Sequence, residues 1–265
     1  SLTWQEAREI EPRVKTVQRA IFSPTTSSID PIEVMQSLQR DAQAEGVIFR
    51  FNESFLSQSN DTVMTSKTSY NVKYVVNAAG LYADRIAQHY GYSKKYRILP
   101  FKGLYLYSEE APGELKTHIY PVPDLRNPFL GVHFTITVEN KIKIGPTAIP
   151  ALWREQYQGL KNFDLQDFSE IVFRQCRLLI SSGFEFRKLA FEEIKKYLRT
   201  EMVRQAAALL ENTRSDDYIH WGKPGIRAQL LDLEQNKLEM DFVLEGDSRS
   251  MHVLNAVSPA FTCSL

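Results

Sequence analysis

The sequence predicts a mixed fold, an α/β region continuous with an α+β region built on an antiparallel sheet. Three observations lead to it. A strand pattern at Val72–Val76 runs into the small-residue turn Asn77-Ala78-Ala79-Gly80 and a helix from about Tyr82 to Tyr90, the strand–turn–helix unit of an α/β layer. From Ile98 to Gly145 the pattern becomes alternating apolar and polar residues punctuated by Pro and Gly, so a second domain begins there. Residues 164 to about 210 are apolar at three- and four-residue steps, and β patterns return after Tyr218.

In chain order, residues 30–46 read as a helix with both ends marked. Asp30 can cap it, Pro31 suits the first helical position, Glu33 completes a capping-box-like pair and Gly46 stops it. Val47–Phe51 and Val63–Ser66 follow as short strands around the polar loop 57–61. The second domain offers strands at Gly103–Tyr107, His118–Tyr120, Leu130–Thr137 and Lys141–Ile144, with Glu139-Asn140-Lys141 as a hairpin turn. In the helical stretch Phe168, Ile171, Val172, Cys176, Leu179 and Ile180 form an apolar stripe, and Gly183 ends the first helix. The last strands are Ile226–Leu231, Leu238–Leu244 and Met251–Leu254, the first two joined by a turn at Glu234-Gln235-Asn236.

At 265 residues the chain can bury one large core or two modest ones. It is 43% apolar and 24% charged with no net charge, the composition of a water-soluble globular protein, and nothing in it favours nucleic acid. Two cysteines exclude a disulfide scaffold and a four-thiolate zinc site. No metal is expected. No apolar run approaches the roughly 20 residues that span a bilayer, and the first residues lack the order of a signal peptide. The expected location is the cytoplasm, or the mitochondrion in a eukaryote, with peripheral contact at the inner membrane left open.

Five places carry candidate chemistry. At 77–80 small residues at a helix start would let backbone N–H groups approach a phosphate, although a tight strand–helix connection needs the same residues. No G-x-G-x-x-G fingerprint occurs. Arg227 stands in a strand launched by the turn Trp221-Gly222-Lys223-Pro224-Gly225 and is otherwise flanked by apolar residues; it either anchors a carboxylate through two parallel bonds or serves a structural ion pair. His133 falls on the strand face opposite Val132 and Phe134, as a proton-transfer group or as a hydrogen-bonded bystander. Arg154 and Glu155 follow a Gly- and Pro-rich strand exit that could border a site or only the surface. Lys102, between Phe101 and Gly103, is either solvated or turned toward a ligand.

Taken together, NAAGLYADRIA (77–87), PFKGLY (100–105), IYPVPD followed by FLGVHFT, GPTAI with WREQY, GIRAQ (225–229) and NAVSPA (255–260) resemble the L-2-hydroxyglutarate dehydrogenase family in order and spacing over essentially the whole chain. The resemblance implies a flavoprotein of the D-amino-acid-oxidase type, with a partial FAD-binding, Rossmann-like domain at 26–98 and 222–265 and an antiparallel-sheet substrate domain at 1–25 and 99–221. It implies FAD near Ala78, Ala79, Gly80, Gly225, Ser258, Pro259 and Ala260. Arg227 matches the arginine that grips the substrate carboxylate, and His133, Arg154 and Lys102 fall on positions that line the cleft. Family members begin with a strand–glycine-loop–helix for the FAD pyrophosphate and then a histidine-containing segment. Neither is found in these residues and the final helix breaks off at Leu265, so a fragment truncated at both ends is expected. Thr147 stands where asparagine is expected, the 153–156 stretch lacks the usual lysine–arginine–glutamate–glycine run, and Glu53 occupies a usually apolar position.

The expected function is oxidation of L-2-hydroxyglutarate, or a close relative, to the 2-oxo acid, with oxygen or a quinone as the electron acceptor. An FAD-dependent glycine or D-amino acid oxidase is the alternative enzyme, and a non-catalytic fragment is the alternative from another class.

Overall fold

The computed structural model describes residues 1–123, 131–181, 194–195, 197–256 and 261. The chain forms two compact units: Ser1–Ile48, Lys102–Ile149 and Lys188–Gly225 make the first, and Phe49–Phe101, Pro150–Arg187 and Ile226–Leu265 the second. This grouping differs from the sequence-based division at 26–48, 99–101, 150–187 and 222–225. Residues 26–48 go with the first unit and 150–187 with the second. For 150–187 the reason is local, since the helix Leu165–Ser181 is tied to Arg85 through Asp167 and Glu170.

The first unit is built on an antiparallel sheet in the order His220–Trp221, Leu106–Tyr107, Ile142–Gly145, His133–Ile136. Alternation turns Leu106, Ile142, Ile144 and Phe134 inward, where they meet Met202, Val203 and Ala206 of the helix Arg199–Ala206. The hairpin turn sits at the expected residues: Asn140 has φ +57° and donates to Thr137 O at 2.9 Å. The strand expected at Gly103–Tyr107 is interrupted. One strand ends at Gly103 and the next starts at Leu106, because the Thr147 hydroxyl fills the gap. It accepts from Leu104 N and donates to Lys102 O, both at 3.0 Å. His118–Tyr120 contributes a single bridge, Ile119 to Phe134, rather than a strand.

The helix expected at 30–46 spans Pro31–Ala44, with Asp30 accepting from Ile32 N at 2.8 Å and Gly46 at φ +88° beyond its end. The start is closed by this single bond rather than by a box through Glu33. Val47–Phe51 is not a strand. Val47 N turns back to Ala42 O at 2.9 Å, and the segment pairs with no strand among the described residues.

In the second unit Val75–Asn77 lies parallel to Ser250–Asn255, which pairs on its other edge with Val243–Gly246. The helix Ala83–His89 covers this sheet through Ala83 and Ala87, in a core with Tyr96, Ile98, Leu230 and Leu254. The strand expected at 72–76 is split, because the chain changes partners there. Ser69–Asn71 still pairs with Thr62–Thr65 of a three-stranded meander, whereas Val75 already bonds to Arg249 O. Glu53, at its unusual position, accepts from Thr65 Oγ1 at 2.5 Å and Tyr70 OH at 2.9 Å beside this meander.

A further sheet runs in the order Ile149–Pro150, Tyr96–Gly103, Gly225–Asp232, Lys237–Leu238, and Leu2–Thr3 pairs with Arg19–Ala20. Leu238–Leu244 is also divided: the Gln229 and Asn255 side-chain amides take the carbonyls of Glu239 and Asp241, which a continuous strand would have used. In the helix Leu165–Ser181 the buried line runs through Asp167, Ile171 and Leu178. Cys176 and Ile180 are exposed, so the expected stripe is rotated toward its first residues. Its expected stop, Gly183, lies outside the described residues.

Candidate functional site

In the second unit, the turn after Val75–Asn77 is shaped by one buried side chain. Asn77 Nδ2 donates to Ala83 O at 2.8 Å and to His252 Nδ1 at 3.1 Å, while its Oδ1 accepts from Ala79 N at 3.2 Å. Braced from beneath, Ala78, Ala79 and Gly80 are left exposed. Gly80 takes φ +54°, and a Cβ there would meet nothing within 4 Å, so its place is set by the backbone. Because the Asn77 amide can only donate, His252 Nδ1 accepts, and the ring proton sits on Nε2 facing Ser250 Oγ at 3.1 Å. Burial holds the His252 pKa below the ordinary histidine value, against the opposing pull of Glu245 and Asp247.

Arg154 is also internal. It is 1% exposed and forms two parallel bonds to Asp84, at 2.8 and 3.0 Å, with a further bond to Leu81 O. Asp84, 0% exposed, accepts from Ile98 N at 3.0 Å as well. Burial disfavours the arginine charge, but Asp84, Asp167 and Glu170 outweigh that and raise its pKa. Next to it Glu155 accepts from Tyr82 OH at 2.8 Å. These bonds correct the expectation that Arg154 lines a substrate cleft: both terminal nitrogens are occupied inside the unit, where they fasten the residues that follow the 77–80 turn.

Arg227 lies on Gly225–Asp232, on the face opposite Ala228 and Leu230, which join the core. It is half-buried, and burial lowers its guanidinium pKa. Gly225 is exposed and open. Ser258, Pro259 and Ala260 lie outside the described residues.

In the first unit, His133 stands on the sheet face opposite Phe134, as alternation predicts, and is itself buried, at 8% exposure. Its ring stacks on Tyr120 at 4.3 Å, and Nδ1 is 2.9 Å from Gly131 O. A carbonyl only accepts, so Nδ1 carries the proton and Nε2 keeps its lone pair. Burial depresses the His133 pKa, and this outweighs the raising effect of the Gly131 carbonyl, so the ring is neutral at neutral pH. His118, by contrast, is taken up by the backbone, with Nδ1 accepting from Ile136 N at 3.0 Å. Lys102 is half-buried and burial lowers its pKa. Among the described residues no group of His, Cys, Asp or Glu could hold a metal ion, and no helix is long and apolar enough to cross a membrane.

Sequence reasoning missed the bracing roles of Asn77, Asp84 and His252 and the placement of Lys143. The first three are buried polar groups whose partners are distant in sequence. Lys143 alone left a signal, as the polar residue between Ile142 and Ile144 on a strand next to that of His133.

A family model described as FAD dependent oxidoreductase matches residues 1–260. The chain belongs to this family. It is 36% identical to L-2-hydroxyglutarate dehydrogenase, mitochondrial, of Mus musculus, over 98% of its own length and 60% of that protein. The protein of the same name in Nematostella vectensis is 35% identical, over 97% of this chain and 61% of the relative. L-2-hydroxyglutarate dehydrogenase of Indibacter alkaliphilus is 32% identical over 100% of this chain and 67% of the relative. The chain thus spans about 60% of the first two relatives. Among solved structures, FAD-bound L-alpha-glycerophosphate oxidase of Mycoplasma pneumoniae superposes with a TM-score of 0.63 at 18% identity, covering 98% of this chain and 60% of that one. Glycine oxidase of Geobacillus kaustophilus gives 0.56 at 18% identity, over 86% of this chain and 50% of that one. These likenesses establish the fold.

Proposed function

We propose that this chain is the larger part of an FAD-dependent enzyme that oxidises L-2-hydroxyglutarate, or a closely related 2-hydroxy acid, to the 2-oxo acid. The observation that carries the reading is the state of His133: neutral, oriented by Gly131 O and Tyr120, with an Nε2 lone pair that no donor takes among the described residues. A group in that state can take the hydroxyl proton as the C2–H bond breaks. The names of the relatives at 35% and 36% identity favour this substrate.

The second unit suits the cofactor. Its exposed small-residue turn at Ala78, Ala79 and Gly80 admits close backbone approach, with Gly225 and residues 258–260 as the further expected contacts. FAD, when bound, supplies the two-electron acceptor for the oxidation. Arg227 holds the substrate carboxylate through paired hydrogen bonds, which fixes the orientation of the carbinol carbon, and Lys102 adds positive charge for an anionic substrate. Arg154 acts at one remove, by holding Leu81 and Asp84. The first unit, with its antiparallel sheet, is the substrate side. The location is mitochondrial in a eukaryote or cytoplasmic with peripheral membrane contact.

The test is a substrate panel on FAD-loaded protein with oxygen and a quinone analogue as alternative acceptors. L-2-hydroxyglutarate should be turned over in preference to glycine and D-amino acids, and His133→Gln should lower kcat by about 10²–10⁴-fold with flavin retained. Faster oxidation of an amino acid would overturn the substrate. A flavin-loaded protein inert to the whole panel would overturn the activity.

A further inference from the structure

A second feature lies on the same sheet face as His133. Along Ile142–Gly145 the side chains of Ile142 and Ile144 are in the core, at 1% and 0% exposure, so Lys143 points the other way. Register places Lys143 opposite Thr135 on one neighbouring strand and Tyr107 on the other, while the next pair along on that face is Gly145 with His133. His133, Thr135, Lys143 and Tyr107 therefore share one surface.

The Lys143 ammonium sits against an aromatic ring. It lies 4.8 Å from the centroid of the Tyr105 ring, and no carboxylate pairs with it among the described residues. Elsewhere Lys141 has Glu139 at 2.7 Å and Lys95 has Asp232 at 3.6 Å. Lys143 is half-buried, and burial lowers its pKa. A partly desolvated ammonium held over an aromatic face is poised for an anion that enters with a ligand. A lone ammonium is a compact point charge without the fork of an arginine, so it suits one carboxylate better than a phosphate dianion, which takes several donors.

We infer that Lys143, steadied by the Tyr105 ring, binds a substrate carboxylate and selects dicarboxylic over monocarboxylic 2-hydroxy acids. The inference rests on the proposed hydroxy-acid oxidation and adds a residue that sets its specificity.

The test compares L-2-hydroxyglutarate with L-2-hydroxypentanoate, in which a methyl group replaces the distal carboxylate, on the FAD-loaded protein. Lys143→Met should raise KM for the dicarboxylate by roughly ten- to hundredfold, the worth of one charge-assisted hydrogen bond. It should leave kcat within a few-fold and KM for the monocarboxylate unchanged, and Lys143→Arg should recover most of the loss. A second arm needs no turnover. In protein with ¹³C-dimethylated lysines, the resonance missing from Lys143→Arg should move on addition of glutarate. If neither hydroxy acid is oxidised, the functional reading fails, and a glutarate-induced shift still upholds the carboxylate site. An unchanged KM in Lys143→Met, or a Lys143 resonance indifferent to glutarate, overturns the inference.

Discussion

Replacing Arg154 with Met removes the positive member of the buried Arg154–Asp84 pair while keeping much of the side-chain volume. The wild-type residues are 1% and 0% exposed, and their two parallel bonds are 2.8 and 3.0 Å long. In the variant Asp84 keeps one backbone donor on each oxygen, Arg85 N at 2.9 Å and Ile98 N at 3.0 Å, but its charge is left inside the unit with no cation bonded to it. Leu81 O also loses its guanidinium donor. Removing one member of a buried ion pair destabilises by about 3–5 kcal/mol, which at about 2–4 °C per kcal/mol for chains of this size lowers Tm by roughly 6–20 °C. Neutralising the stranded carboxylate as well, in Arg154→Met with Asp84→Asn, should recover about 1–4 kcal/mol. Urea unfolding followed by tryptophan fluorescence reads this directly, since Trp153 is 2% exposed beside Arg154. A single-variant loss below about 1 kcal/mol, or a double variant no more stable than the single one, would refute the assignment of Arg154 as an internal fastening.

Two further predictions concern groups that hold their neighbours by hydrogen bonds. His252 is neutral when folded and has a pKa below its unfolded value, so its contribution to stability is complete above about pH 6.5 and is lost as pH falls toward the folded pKa. The loss should steepen by up to about 1.4 kcal/mol per pH unit, and it should vanish in His252→Gln when unfolding is measured between pH 5 and 8. Thr147→Val should cost about 1–3 kcal/mol by leaving Leu104 N and Lys102 O without the hydroxyl between them, and Thr147→Ser should restore most of it in the same urea experiment.

Much of the fold could be read directly from local pattern. The Asp30-Pro31 start and Gly46 stop marked a helix because capping is an interaction within a few residues, and the Asn140 turn was legible for the same reason. The placement of His133 on the sheet face opposite Phe134 followed from the two-residue period of a strand. Where the reading failed, a distant side chain had replaced a backbone partner: Thr147 at the Gly103–Leu106 gap, and Gln229 and Asn255 at the gap before Val243.

By itself, the sequence determined the two architectural styles of this chain, the strand–turn–helix at 72–90 and the family to which its ordered motifs point, since each depends on residues close together or on their order. Only the tertiary structure decided that Arg154 is spent on Asp84, that Asn77 and His252 brace the 77–80 turn, and that Lys143 stands over Tyr105. The physical reason is that a charged side chain's role is set by what else is buried around it, and a chain brings those partners together from positions that no local period connects.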